Sequence, residues 1–201
     1  MRQGLVMRRK VPGILWLSLP WLALAAAAAI AQGVGIDAAL LAKAKAGDAA
    51  AQVEVGECYA NGKGVAQDAG EAADWYRKAA NQKSIGGELH LAELYRDGDG
   101  KKFPRDMEQA AAWYRKAADQ GDPGAQGTLG MLYTLGQGVP RSDVDAYFWL
   151  DLAASVGSPN QAQYIANRQN VGTRITADEL ADVEDRVAQW KAAHSHPSAS
   201  H

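Results

Sequence analysis

The chain has a single cysteine, Cys58, in 201 residues, so no intramolecular disulfide can form in any compartment. Cys58 also lies far from the hydrophobic N-terminal stretch, which excludes it as a lipid-attachment cysteine just behind a leader. Basic excess is missing: 21 Lys and Arg stand against 23 Asp and Glu. A cationic groove for nucleic acid is therefore not expected. Strand-like alternation of apolar and polar residues is absent from the central part. Neither a Ser/His/Asp set nor a pair of facing carboxylates can be argued from the spacing, and no catalytic residue, cofactor site or metal site is assigned. What the chain does have is apolar material for one folded domain, with 47% hydrophobic residues.

The first 31 residues are set apart as a targeting segment. Arg2, Arg8, Arg9 and Lys10 form a basic start, the run from Val11 to Ile36 carries no charge, and Ala29-Ile30-Ala31 places small residues where a signal peptidase would cut before Gln32. The run is also long enough to cross a bilayer, so an uncleaved membrane anchor is the competing reading. Pro20 and the alanines from 25 to 29 weaken it. Met7 would serve as an alternative start. Each version exports the folded part, and removal of the segment leaves 17 basic against 23 acidic side chains, 17 − 23 = −6.

Beyond it, six letters occur twice: WYRKAA fills 75–80 and again 113–118. The repetition is wider than that hexapeptide. Tyr59, Tyr95 and Tyr133 are spaced 36 and 38 apart, while Trp75, Trp113 and Trp149 are spaced 38 and 36 apart. One insertion accounts for the difference: GDGKKFPRD stands where the other units have GKGVAQD and GQGVPRS, which makes Lys101 and Lys102 the extra residues. A period that survives a loop insertion belongs to the fold.

Each unit reads as two helices. In the first, Val55, Leu91 and Leu129 and then Tyr59, Tyr95 and Tyr133 recur at i, i+4, with Gly56, Ala92 and Gly130 between them. A glycine inside a helix costs about 1 kcal/mol relative to alanine, so close approach of another helix is expected there. Gly62, Gly98 and Gly136 end that helix, where a residue with positive φ is needed at the C-terminal cap. Capping boxes open the second helix: Asp68 with Glu71, Asp106 with Gln109, Ser142 with Asp145. Its apolar stripe is Ala72, Trp75, Tyr76 and Ala79, then Ala110, Trp113, Tyr114 and Ala117, with Arg-Lys on the solvent side between them.

These recurring positions resemble the Sel-1-like repeat family, related to the tetratricopeptide repeat. The resemblance covers about residues 47–157, as units 47–82, 83–120 and 121–157. Ser142 replaces the usual Asp, Leu150 the Tyr after the tryptophan, and Lys83 stands where Gly121 and Gly157 end the other second helices. The resemblance implies an all-α, right-handed superhelical solenoid of stacked two-helix repeats, spanning 35–193 with capping helices. Residues 36–46 read as the front cap. At the far end, 161–171 read as another first helix, followed by a capping box at Thr176 to Glu179 and an apolar face of Leu180, Val183, Val187 and Trp190. The tail 194–201 reads as disordered. Some bacterial relatives carry paired cysteines in each repeat and are linked to penicillin-type ligands; with that pairing missing, the activity is not carried over.

The residues left for chemistry are few. GKG, GDG and GQG follow a helix three times, whereas phosphate loops follow a strand, so they are turns. Cys58 aligns with Leu94 and Leu132 and reads as a core filler. His90, with Glu88 and Glu93 nearby, reads as a surface histidine, since a metal site needs three or four converging ligands. His194, His196 and His201 lack a preformed geometry. A surface remains: in related arrays the first helices line a concave face. The positions opposite the core stripe are Val53, Glu57, Ala60 and Asn61, then Leu89, Glu93, Arg96 and Asp97, then Gly127, Met131, Thr134 and Leu135. That face runs from acidic to apolar, with Met131 and Leu135 as exposed anchors. The expected function is a non-enzymatic, exported scaffold, periplasmic or secreted, holding a protein or peptide partner in this groove; it would meet a membrane only through an uncleaved N-terminal segment. The alternatives are an envelope enzyme or peptidoglycan-fragment binder with Trp75, Trp113 and Trp149 as exposed platforms, and a structural spacer or homo-oligomer.

Overall fold

The computed structural model describes residues 35–100 and 103–194; of two compact units, 1–35 and 36–201, all of these but Gly35 fall in the second. Residues 1–31, expected to be a targeting segment, Lys101 and Lys102, and residues 195–201 lie outside the described residues. Among those described there are helices and no strand: α1 (Ala38–Lys45), α2 (Ala49–Asn61), α3 (Ala69–Ala80), α4 (Ile85–Asp97), α5 (Met107–Asp119), α6 (Pro123–Leu135), α7 (Asp143–Ser155), α8 (Gln161–Gly172) and α9 (Ala177–His194). The pairs α2/α3, α4/α5 and α6/α7 are the three hairpins. Each packs on the next, α1 leans on α2, and α9 returns to pack on α7. First helices also touch across units, α2 with α4 and α6 with α8, forming one row along the stack.

Small residues set the spacing within each hairpin. A Cβ added to Gly56 would lie 2.5 Å from Cε1 of Tyr76, and one added to Gly130 would lie 2.7 Å from Cγ of Leu150. Ala92, fully buried, stands at the same place against Tyr114. The cost of helical glycine is thus offset by close approach of the second helix of the same unit. Val55, Leu91 and Leu129 are wholly enclosed.

The turn back into each first helix is also repeated. Gly47, Lys83 and Gly121 have φ of 103°, 62° and 90°, and the next residue closes a Schellman bond: Asp48 N–H to Lys43 O, Ser84 N–H to Ala79 O, Asp122 N–H to Ala117 O, at 3.2 Å each. Those same residues are N-caps, accepting from Ala51, Gly87 and Ala125 N–H.

The boxes at the second helices are only half formed. Asp68, Asp106 and Ser142 accept from the N–H three residues on, but their own N–H groups are donated to the carbonyls of Tyr59, Tyr95 and Tyr133, at 3.0, 2.8 and 3.1 Å. Only at Ser142 does the cap's own hydroxyl donate back, to Asp145 Oδ2 at 2.8 Å; the return arm finds no backbone donor left to bind. At Thr176 that donor is free, and both arms form with Glu179.

Every residue of WYRKAA has an internal partner. Trp75 is buried with the Lys78 ammonium 3.8 Å above its ring, and half-buried Trp113 is covered by Lys116 at 3.4 Å. Arg77 does not face only solvent: its Nη2 donates to the Tyr95 hydroxyl at 3.2 Å in the next unit. Arg115 repeats the clasp on Tyr133 and lies over the Trp149 ring. At the third junction the same role falls to the Asp151–Arg168 ion pair. Arg77 and Arg115 are therefore part of the stacking, while Lys78 and Lys116 stay on the solvent side expected of the pair. The four alanines, 79, 80, 117 and 118, are buried.

A second polar ladder runs through the core. Buried Gln52 donates to Ala44 O and accepts from Gln82; buried Gln126 donates to Ala118 O; between them Glu88, 3% exposed, accepts from Gln120 at 2.6 Å. At the insertion, Asp99 N–H meets Phe103 O and Phe103 N–H meets the Asp99 carboxylate. The extra loop is pinched off at its base, and Asp106 still reaches Tyr95. His194, expected in the tail, belongs to α9 and stacks on Trp190 at 3.8 Å.

Candidate functional site on the row of first helices

The expected groove residues divide into two groups. Glu57, Ala60, Asn61, Glu93 and Asp97 come together around one hollow of about 380 Å³ between α2 and α4, joined by Tyr76, His90 and Leu94. A second hollow of about 330 Å³ shares Ala60 and Leu94 with it. The other positions are largely spent on structure. Val53 is half-buried against the start of α4, where its Cγ2 is the nearest atom to a Cβ built on Gly86. Leu89 packs on the core between the second and third units. Thr134 Oγ1 donates to Gly130 O.

The apolar end of the groove is smaller than expected. Met131 is half-buried, with its Sδ accepting from Asn167 Nδ2 at 3.0 Å. Gly127 is buried under the ring of Tyr164. Both are covered because α8 continues the row of first helices as if it opened a further unit. Leu135, 57% exposed, is the anchor that remains free.

His90 is the residue whose role the sequence reading missed. Its Nε2 lies 3.2 Å from Glu57 and its Nδ1 3.4 Å from Glu93, and its ring stacks on Tyr76 at 5.1 Å and 22°. Glu57 and Glu93 are the same repeat position one unit apart, so the imidazole bridges equivalent carboxylates across the seam. Only that alignment could have revealed it. The Glu93 hydrogen bond, followed by the charges of both carboxylates, raises the His90 pKa above its ordinary value against the opposing effect of burial. Glu93 is correspondingly lowered, chiefly by His90. The two acids thus favour the protonated imidazole between them, a geometry for charge recognition. Glu88, expected beside His90, lies in the core against Gln120 instead.

Arg96 and Asp97 form a fork: Nε and Nη2 donate to the two Asp97 oxygens at 2.8 and 2.9 Å, while Nη1 donates to the Tyr114 hydroxyl at 3.0 Å. Burial pushes the Tyr114 phenol up to about 12. Cys58 is half-buried and unpaired. Among the described residues no group of three or more His, Cys, Asp or Glu is arranged to hold a metal ion, and no helix is long and apolar enough to cross a membrane. Trp75 and Trp149 are 8% and 3% exposed, so they cannot serve as open platforms for sugar rings.

A Sel1 repeat protein from Oxalobacter formigenes is similar in structure, with 33% identity, a TM-score of 0.56, and coverage of 65% of this chain and 95% of its own. A protective antigen of uropathogenic Escherichia coli strains, displaying an SLR fold, shares 25% identity at a TM-score of 0.48 over 81% of this chain and 44% of its own. Cysteine rich protein B of Helicobacter pylori shares 23% identity at 0.48, over 62% and 92%. No curated protein matches the chain. The Sel1 repeat profile matches residues 49–84, 87–122 and 123–158, the three hairpins α2/α3, α4/α5 and α6/α7 together with their flanking turns, and the chain accordingly belongs to the Sel1 repeat family.

Proposed function

We propose that this chain is an exported, non-enzymatic scaffold that holds a protein or peptide partner on its row of first helices, in a bacterial cell envelope. Sel1 repeats typically mediate protein–protein interaction. The observation that carries the reading is the hollow between α2 and α4, because polar side chains converge there around an open space. The surface continues to exposed Leu135 on α6, so a partner lying along the row meets an acidic patch and then an apolar one. Export is supported by the basic start and the uncharged run from Val11 to Ile36.

The test is capture of a partner from the native envelope by the wild-type chain and by a Glu57→Lys, Leu135→Lys double variant with an unchanged melting curve. Met131 is left alone because Asn167 covers it. Loss of the partner in the variant is expected, and undiminished capture would refute the groove. N-terminal sequencing of the exported chain is expected to begin at Gln32; an intact Met1 or Met7 in the membrane fraction would show an anchor.

A further inference from the structure

The hollow between α2 and α4 has an internal counterpart one unit on, and the comparison names what it lacks. Arg96 stands where the first unit has Ala60, and Tyr114 where it has Tyr76. In the second unit the Arg96 guanidinium fills the space above the tyrosine, giving one N–H to the Tyr114 hydroxyl and two to Asp97. In the first unit the methyl of Ala60 reaches no such partner, and the space stays open. Tyr76 is 3% exposed, yet its hydroxyl has no hydrogen-bond partner among the described residues and its ring lines the hollow. The ring is enclosed while the hydroxyl opens on the hollow, so the hydrogen bonds it lacks from the protein fall to whatever occupies that space. Glu57 and Glu93 line the same hollow, and burial, then their charges, push the phenol's pKa up.

We propose that this hollow is a binding site for the guanidinium of an arginine side chain presented by the partner. The assignment rests on the inner-face reading above and narrows it. The incoming group would donate to the Tyr76 hydroxyl and to the carboxylates of Glu57, Glu93 and Asp97, reproducing from outside what Arg96 does from within. Its planar fork suits a site with a phenol and several carboxylates at different angles; a lysine ammonium is a single point charge. A volume of about 380 Å³ lies within the roughly 300–1,000 Å³ of ligand pockets.

Binding is linked to His90. Facing the site are Glu57 from α2, Tyr76 from α3, and His90, Glu93 and Asp97 from α4, with Arg96 already neutralising part of Asp97. The imidazolium and the guanidinium compete for Glu57 and Glu93, so affinity for arginine rises as pH is raised through the His90 titration.

The experiment is titration of the isotope-labelled full-length chain with Nα-acetyl-arginine amide, followed by amide chemical shifts. Saturable shifts at Asn61, His90, Glu93 and Asp97 are expected, with about fivefold or weaker affinity for Nα-acetyl-lysine amide, from loss of roughly one hydrogen bond. Ala60→Arg, which supplies the guanidinium from inside, should abolish the shifts without lowering Tm. Tyr76→Phe should weaken binding about fivefold. No saturable shift, equal affinity for the two probes, or unchanged binding in Ala60→Arg would overturn the proposal. If Ala60→Arg misfolds, Tyr76→Phe decides, and unchanged affinity in it counts against the site. Partner capture that survives a folded Ala60→Arg would leave the inner-face reading standing and remove this one.

Discussion

Gly86 and Gly87 are neighbours in the first turn of α4, yet their replacement by alanine should change stability in opposite directions. A Cβ at Gly86 meets nothing nearer than Val53 Cγ2 at 3.8 Å, an ordinary contact. Gly86→Ala therefore gains helix propensity and loses unfolded-chain entropy, together up to about 1 kcal/mol of stabilisation. At Gly87 the same atom would lie 2.7 Å from Ala79 Cβ, 2.7 Å from Ala80 N and 3.0 Å from Tyr76 O. Two of those three neighbours are backbone at the end of α3, and cannot rotate away. Overpacking of that kind costs about 1–3 kcal/mol, which exceeds the propensity gain. For a folded unit of this size each kcal/mol moves Tm by about 2–4 °C. Thermal unfolding followed by far-ultraviolet circular dichroism should show Gly86→Ala melting slightly higher than wild type and Gly87→Ala several degrees lower. If both variants move the same way, α3 and α4 do not approach as closely as described, and the account of small residues as spacers fails.

Glu88→Gln should stabilise the chain by about 1 kcal/mol at neutral pH, because glutamine serves at the same step of the ladder in Gln52 and Gln126. Burial raises the Glu88 pKa above 4.5, so its ionisation destabilises the fold as pH climbs through that window; the advantage of the variant should vanish below 4.5, and an advantage independent of pH would contradict the assignment. For His90 the sign is the reverse. Its raised pKa contributes stability that is complete below 6.5 and lost as pH rises through the folded value. Denaturant melts of wild type and His90→Gln should therefore converge toward alkaline pH, from a difference within the roughly 0.2–1 kcal/mol of exposed ion pairs; a constant gap would show that the ring acts by packing. Lys83 is the one non-glycine residue at positive φ among those described, so Lys83→Gly should relieve about 1–2 kcal/mol of backbone strain and return roughly half of it as chain entropy. A lowered Tm would refute that strain.

The stacking was legible because Tyr59, Tyr95 and Tyr133, and the three tryptophans after them, recur in phase through an insertion. Periodicity reports which face is buried, and it placed Val55, Leu91 and Leu129 in the core. It does not say which cation of an Arg-Lys pair crosses to the next unit: that depends on the tyrosine hydroxyl 18 residues on, and Arg77 reaches it while Lys78 folds over Trp75. The half-formed capping boxes were hidden for a similar reason, since the N–H of Asp68 is claimed by the Tyr59 carbonyl, a tertiary partner. Of the groove, the acidic cluster around Glu57 and Glu93 could be placed by register alone. The cover over Met131 could not: 161–171 read as another first helix, but which of its side chains lies over Met131 is a tertiary contact, made by Asn167. The bare Tyr76 hydroxyl follows from one small difference, Ala60 against Arg96, which carries meaning only once both tyrosines are known to point the same way.

The central claim, that recognition belongs to the row of first helices, is tested most directly by photo-crosslinking in the native envelope. A benzoylphenylalanine at Asn61 or at Leu135, on α2 and α6, should give an adduct with one and the same partner, while the probe at Asp74 or Glu108, exposed on α3 and α5, should give none. Adducts formed only from Asp74 and Glu108 would place recognition on the second helices and contradict the account.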